Sequence, residues 1–298
     1  MNSKCKTISI IFLVFINFCL FNSLIIAGEN SLSSFSKRAS LVKCLEEKRP
    51  IYIKLSIYIE SLTFVYPDGK KESFLCQDPK KIAQSLAIAA KKFEFINLNF
   101  IADRICLLKT EIECNDEEER DRKFVDFISS KCFDGMDREM VSISEKNKES
   151  INLFFCFVVD YNILGLSSHP YLMPGSFVFM STIKENDITL THEMGHYFGL
   201  LHTFNNGGDM CDDTVDGHLD YDILGTDADP NKFNIMTYTK DHDCIEELFF
   251  TENQKDLVVS SLFGPSRLCQ ILFSYSGNNI IGKDWQFNLN ILLKMIEK

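Results

Sequence analysis

His192 to His202 reads H-E-M-G-H-Y-F-G-L-L-H, and the spacing of its three histidines decides what the rest of the chain has to build. Residues four apart lie on one face of a helix, one turn apart. His192 and His196 therefore project side by side, and Glu193 projects beside that pair rather than into it. Gly199 turns the chain out of the helix at low steric cost, which brings His202 back as a third ligand. Three imidazoles hold one Zn²⁺ and leave a fourth position open, the arrangement of a catalytic rather than a structural zinc site. A lone histidine on a helix is usually a packed or surface residue, and H-E-x-x-H alone arises by chance. Five fixed positions in eleven residues are far harder to reach that way.

The reaction expected of such a motif is peptide-bond hydrolysis. Bound zinc brings the pKa of a water from about 16 to near 7, and Glu193 stands where a general base would take that proton and pass it to the leaving amine. The three histidines bind metal only when neutral, so activity is expected to fall in mild acid.

A second segment, Asn234-Ile-Met-Thr-Tyr238, follows downstream. Together with the long zinc motif it resembles the metzincin metallopeptidases, whose methionine-containing turn lies beneath the metal. The resemblance implies that Met236 is that methionine, and that Tyr238 reaches toward the metal or the reacting oxyanion. Thr203-Phe204, Gly208-Asp209, Asp213-Thr214, Phe250-Thr251 and Gln254 extend the likeness, from about 151 to 262, to the secreted pappalysin family. The chain departs from that family in the acidic loop from Asp213 to Pro230 and in Val215, where a proline is usual. The resemblance implies an α/β (α+β) catalytic domain of two subdomains. A mixed twisted sheet lies above the zinc helix and a mostly irregular and helical part below it. In this fold an antiparallel edge strand binds the substrate backbone, and residues 176–181 occupy the matching place.

Asp209 and Asp212, just ahead of that loop, and Asp213 at its start stand among further aspartates. Oxygen ligands at this density suit Ca²⁺, and the resemblance also implies calcium nearby. The spacing does not match an EF-hand, which leaves a hydrated acidic loop as the equal alternative.

The N-terminus carries Lys4 and Lys6 and then an uncharged apolar run from Thr7 to Gly28. That reads as a signal peptide over 1–27, directing the protein outside the cell, or as a membrane anchor if it stays uncleaved. A short segment over 28–50 precedes the catalytic domain at 51–263, within which 111–150 is a charged insertion with one helix near Arg122–Lys131. A tail over 264–298 follows. Loss of Lys4 and Lys6 takes the formal charge from −11 to −13, a surface unsuited to nucleic acid or an anionic membrane. Protein or peptide substrates are the expected partners.

Nine of the 11 cysteines lie beyond the signal. Secretion permits disulfides, and an odd number leaves at least one thiol unpaired in a monomer. Cys211 with Cys244 is the preferred pair, because it would tie the loop after the zinc helix to the segment after the Met-turn. Cys156, in an apolar strand, is the expected buried free thiol. Cys44 stands ahead of the first strand, where some metzincins carry a cysteine that blocks the open zinc position, although it lacks the flanking glycine usual there.

Ile51, Ile53, Leu55, Ile57 and Ile59 alternate with polar residues as a half-buried strand does. Pro79 to Phe93 has helical spacing with proline in its first turn. Strands are expected at 95–101, 152–159 and 176–181. Asn186 or Asp187 would cap the zinc helix, and Thr251 a helix over 252–262. The leading expectation is a zinc endopeptidase. A metzincin of another subfamily, or a non-catalytic zinc-containing adhesin or binding protein, are the alternatives. A structural zinc protein has little need of Glu193.

Overall fold

The computed structural model describes residues 31–130, 133–157, 164–168, 177–181, 188–205, 208–215, 224, 226–238, 242–264 and 271–272. The expected signal segment and the caps at Asn186 and Asp187 lie outside the described residues, as do residues 291–296 of the tail, whose sequence reads as a short terminal helix. No helix among the described residues is long and apolar enough to cross a membrane.

A helix, α1 (Ser31–Glu46), leads into a long central strand, β1 (Ile51–Val65). The strand β3 (Leu98–Glu113) runs parallel to β1 over its whole length, with a register shift at Leu55/Ser56. Successive stretches of β1 also pair with β2 (Lys71–Leu75), antiparallel, and β4 (Ile151–Phe155), parallel. Next to β4 lies β6 (Phe177–Met180), parallel, and next to β6 lies β5 (Gly165–Ser167), antiparallel. A two-residue strand, β7 (Ile271–Leu272), returns from the expected tail to pair with Tyr52 and Ile53. The sheet is mixed, as expected above a histidine helix.

Two strand expectations need correction. Residues 177–180 are not the edge of the sheet. They lie between β4 and β5, all four fully buried, and the antiparallel edge is Gly165–Ser167. The first strand is not half-buried either. Its odd-numbered residues Ile51 to Ile59 face the core shared with the histidine helix. Tyr58, Leu62 and Phe64 fill clusters on the opposite face.

That second face is covered by the segment read as a charged excursion. Glu111–Glu113 complete β3, and two helices follow instead of one, α3 (Glu117–Ser130) and α4 (Phe133–Lys146). Phe124 and Phe127 of α3 pack against Phe157 and Phe64, and Met140 of α4 is buried beside Phe154 and Phe179. Glu72 of β2 accepts from Arg120 of α3 at 2.7 Å and from the Tyr66 hydroxyl at 3.1 Å. Lys70 and Arg120, its strongest charged partners, hold the Glu72 carboxyl down to about 2. The charges of this segment thus face outward over an apolar underside.

On the other face lies α2 (Pro79–Lys92), with proline at its start as expected and with Asp78 as its cap. Its Ile82, Leu86 and Ala89 face the core. Lys92 at its last turn donates to the carbonyls of Ile245 and Leu248, tying the upper layer to the chain below the site. The histidine helix, α5 (Thr189–Tyr197), packs against α2, β5 and β6. Its N-cap is Ile188, which makes no side-chain cap bond. The last helix described, α6 (Glu252–Ser261), begins with the expected Thr251 cap and a complete capping box through Gln254. One apolar cluster runs from β1 and α2 through Leu190, Met194 and Tyr197 of α5 to Ile235, Met236, Phe250 and Val258 below.

Candidate metal centre

The helix α5 ends in a turn that also orients a ligand. Gly199 takes φ 95°, the left-handed region that favours glycine. Gly199 N–H donates to His196 O at 2.8 Å and Leu200 N–H to Gly195 O at 3.0 Å, the paired bonds of a Schellman motif. The turn leaves the Leu200 carbonyl 2.8 Å from His196 Nδ1. In the same way the Ile235 carbonyl stands 2.7 Å from His192 Nδ1. Both rings then carry their proton on Nδ1, and their Nε2 lone pairs point inward.

The three Nε2 atoms form a nearly equilateral triangle: His192–His196 3.1 Å, His192–His202 3.1 Å and His196–His202 3.0 Å. Tetrahedral zinc with bonds of 2.0–2.1 Å would set its ligand nitrogens about 3.3–3.4 Å apart, close to what is seen. With Nδ1 of His192 and His196 both donating to carbonyls, their Nε2 atoms cannot hydrogen-bond each other as neutral rings. Two lone pairs face each other at that distance, an arrangement that a shared cation stabilises. Burial reinforces this by disfavouring imidazolium. It lowers the pKa of His192, and that of His202 to about 3, where the charge on His192 adds to the effect. Among the described residues these three form the one group of His, Cys, Asp or Glu side chains that could hold a metal.

Glu193 is buried at the second position of the motif, and desolvation pushes its carboxyl up to about 8. The edge strand β5 lies directly over it. A Cβ added at Gly165 would stand 2.6 Å from Glu193 Cγ and 2.9 Å from Oε1. Beneath the helix, a Cβ at Gly195 would meet Met236 Sδ at 2.5 Å. The two glycines let the strand above and the methionine below approach closely, and Met236 is fully buried where the Met-turn was expected.

The His202 ring stacks on Phe204 at 4.6 Å and 11°. The Tyr238 ring stands 5.0 Å from His202 and 4.8 Å from Phe204, with the residue 46% exposed. The structure therefore brings His192, His196, His202, Met236 and Tyr238 to one place.

It does not gather Asp209, Asp212 and Asp213 into a calcium site, and these residues belong to no metal-competent group among those described. Asp209 is buried and accepts from Cys211 N, the Thr214 hydroxyl and Gln254 Nε2. Asp213 accepts from Asn253 N at 2.9 Å, and Asp212 is exposed. The oxygens of Asp209 and Asp213 serve protein donors, and the aspartates at 216, 220 and 222 lie outside the described residues. The preferred Cys211–Cys244 bridge is not made either. Cys211 carries a buried free thiol raised to about 12 by burial and neighbouring aspartates, while the Cys244 side chain lies outside the described residues. Cys156 is buried and in no disulfide, as expected, and Cys44 packs half-buried against the main core.

The groups missed in the sequence are mostly backbone. The carbonyls of Leu200 and Ile235 have no residue-type signature, and Gly165 sits in a strand too short to show alternation. Gly199→Ala is expected to destabilise the fold by about 1–2 kcal/mol through the left-handed φ. It should also weaken metal binding, since the same turn places the Leu200 carbonyl. A thermal melt beside a chelator competition checks both, and an unchanged metal affinity would separate the turn from the ligand.

Residues 169–263 match the peptidase family described as pregnancy-associated plasma protein-A. The chain is 30% identical over 145 residues to an extracellular metalloprotease of Pyricularia oryzae, across 40% of this chain and 50% of that one. It is 34% identical over 112 residues to an extracellular metalloprotease of Colletotrichum graminicola, across 31% and 39%. The chain thus spans half the length or less of these relatives. Metalloproteinase-II from Bacteroides fragilis aligns with a TM-score of 0.29 at 11% identity, across 54% of this chain and 46% of that one, a likeness too slight to bear on the site. The segment that carries the histidines is similar to metallopeptidases of the pappalysin type.

Proposed function

We propose that this chain is a secreted zinc endopeptidase that cleaves peptide bonds with Glu193 as general base. The observation that carries this reading is the triangle of Nε2 atoms at 3.0–3.1 Å, with two of the rings held in the metal-binding tautomer by backbone carbonyls. Zinc, when bound, acidifies water to a pKa near 7 and polarises the scissile carbonyl. His192, His196 and His202 hold it and leave one side open. Glu193 accepts the proton of the attacking water and delivers it to the leaving amine. Tyr238, exposed beside His202, assists the developing oxyanion. The edge strand Gly165–Ser167 aligns an extended peptide by backbone pairing, which places the substrate over Glu193. Domain limits at 51–263 and export by a leader over 1–27 belong to the same proposal.

The test is zinc content and cleavage of a peptide library by the purified full chain, with and without a chelator. Stoichiometric zinc and chelator-sensitive cleavage support the reading. Zinc without cleavage would leave a binding protein, and absence of metal would end the proposal.

Burial moves the two kinds of titratable group here in opposite directions. Glu193 goes from 4.5 to about 8, so the metal-free fold holds a proton that the unfolded chain releases. Its contribution to stability falls as pH rises across that window. His202 goes from 6.5 to about 3, so its contribution is lost as pH falls across that range. The metal-free protein is therefore expected to melt highest in mildly acidic solution. Glu193→Gln should flatten the decline toward pH 8, and equal slopes in wild type and variant would contradict the assignment.

A further inference from the structure

Under the Met-turn lies a chain of buried polar side chains that the proposed reaction does not use. Asp209, 1% exposed, accepts through Oδ1 from Cys211 N at 3.1 Å and the Thr214 hydroxyl at 2.6 Å. Its Oδ2 accepts from Gln254 Nε2 at 3.3 Å. Gln254 is fully buried, and its Oε1 accepts from Thr251 N at 3.1 Å and Asn234 Nδ2 at 3.0 Å. Asn234 Oδ1 in turn accepts from Met236 N at 2.8 Å. The chain ends between two ligands. The carbonyl of Ile235 orients His192, and the carbonyl of Met236 accepts from Thr203 N, next to His202, at 3.2 Å.

The direction of every bond is fixed from the two ends. Met236 N–H can only donate, so Asn234 must turn Oδ1 toward it and Nδ2 toward Gln254. Gln254 must then present Oε1 to Asn234 and Nε2 to position 209. The backbone N–H of Cys211 claims one oxygen of Asp209, which leaves the other to receive Nε2. A buried polar group without its partner is costly, so a reversal at one position propagates along the chain.

We propose that Asp209, Gln254 and Asn234 form a polarised relay that fixes the Met-turn and, through it, the orientation of His192 and His202. Asp209 and Gln254 are positioning residues for the metal centre, and the inference rests on the zinc reading above. Partners beyond the ligands typically tune metal affinity 10–100-fold. The acidic residue closest to the zinc motif in the downstream loop thus acts on the metal at a distance, through an amide, rather than by binding an ion of its own.

Exchanging donor and acceptor tests the relay apart from packing. Gln254→Glu sets a carboxylate against the Asp209 carboxylate. Asp209→Asn sets one amide N–H group against another, because Cys211 N and the Thr214 hydroxyl still demand its oxygen. Together the two changes rebuild the contact with the donor at 209 and the acceptor at 254, while Thr251 N and Asn234 Nδ2 keep their acceptor. The readouts, on the full chain, are the rate of zinc release to a chromophoric chelator and the d–d spectrum of the Co²⁺-loaded protein. Each single variant is expected to release zinc about ten-fold faster or more, with an altered Co²⁺ spectrum, and the double variant to return close to wild type.

Single variants that melt lower yet release zinc at the wild-type rate would overturn the relay, leaving these residues a structural role only. A double variant no better than the worse single would also overturn it. Should Gln254→Glu fail to fold, Asp209→Asn against the double variant gives the same comparison. A wild-type chain that takes up no metal overturns the zinc reading and the relay together, whereas normal uptake with unaffected variants overturns the relay alone.

Discussion

Glu193→Gln is expected to leave the protein fully loaded with zinc and to lower the rate of peptide hydrolysis by about 10²–10⁴-fold, the span of general-base catalysis. The two halves of this expectation have separate causes. The metal is held by three imidazoles whose carbonyl partners, Ile235 and Leu200, the substitution does not touch. The amide keeps the shape that fits beneath Gly165 but has no basicity with which to take a proton from water. Measured zinc content and kcat on one peptide decide it. Wild-type turnover in the variant would remove Glu193 as the base, and loss of zinc would show that the carboxylate supports the ligands instead.

Removal of the metal should have the larger effect. A chelator, or His202→Ala, is expected to bring hydrolysis to background. Without zinc the acid dissociation of water in the site weakens by about nine orders of magnitude. The fold should weaken too, because three imidazoles, one buried and two half-buried, remain with their lone pairs converging on nothing. A ligand present at a thousand times its Kd stabilises the folded state by about 4 kcal/mol, roughly 10 °C in Tm for a chain of this size. Re-addition of zinc should restore both Tm and activity. A chelated protein that melts unchanged would mean that the triangle of nitrogens does not bind metal tightly.

The centre itself was legible because helical geometry leaves little freedom: four-residue spacing puts His192 and His196 on one face, and Gly199 announces the turn that returns His202. The Thr251 cap was legible for similar reasons, since short-range bonds dictate it, whereas Met236 stood out only through the resemblance of its segment to the metzincin turn. The back of the sheet was not. Along β3, Ile105 and Leu107 share one parity with Lys109, Glu111 and Glu113, and Ile112 shares the other with Arg104, so no two-residue period marks a buried face. Only the partner β1 shows that these apolar residues are half-covered. The true edge, Gly165–Ser167, is three residues long and carries no pattern. Asp209 was singled out for its charge, whereas burial and its neighbours decide its role.

The apolar cluster that passes without a break from β1 through α5 to Val258 and Leu262 has a mechanical consequence. Jaws that share one interior cannot hinge apart as two separately folded lobes do. A peptide entering over the metal must then be met by side-chain rearrangement and by the surface loops. Scattering profiles of the protein with and without a bound inhibitor should superimpose.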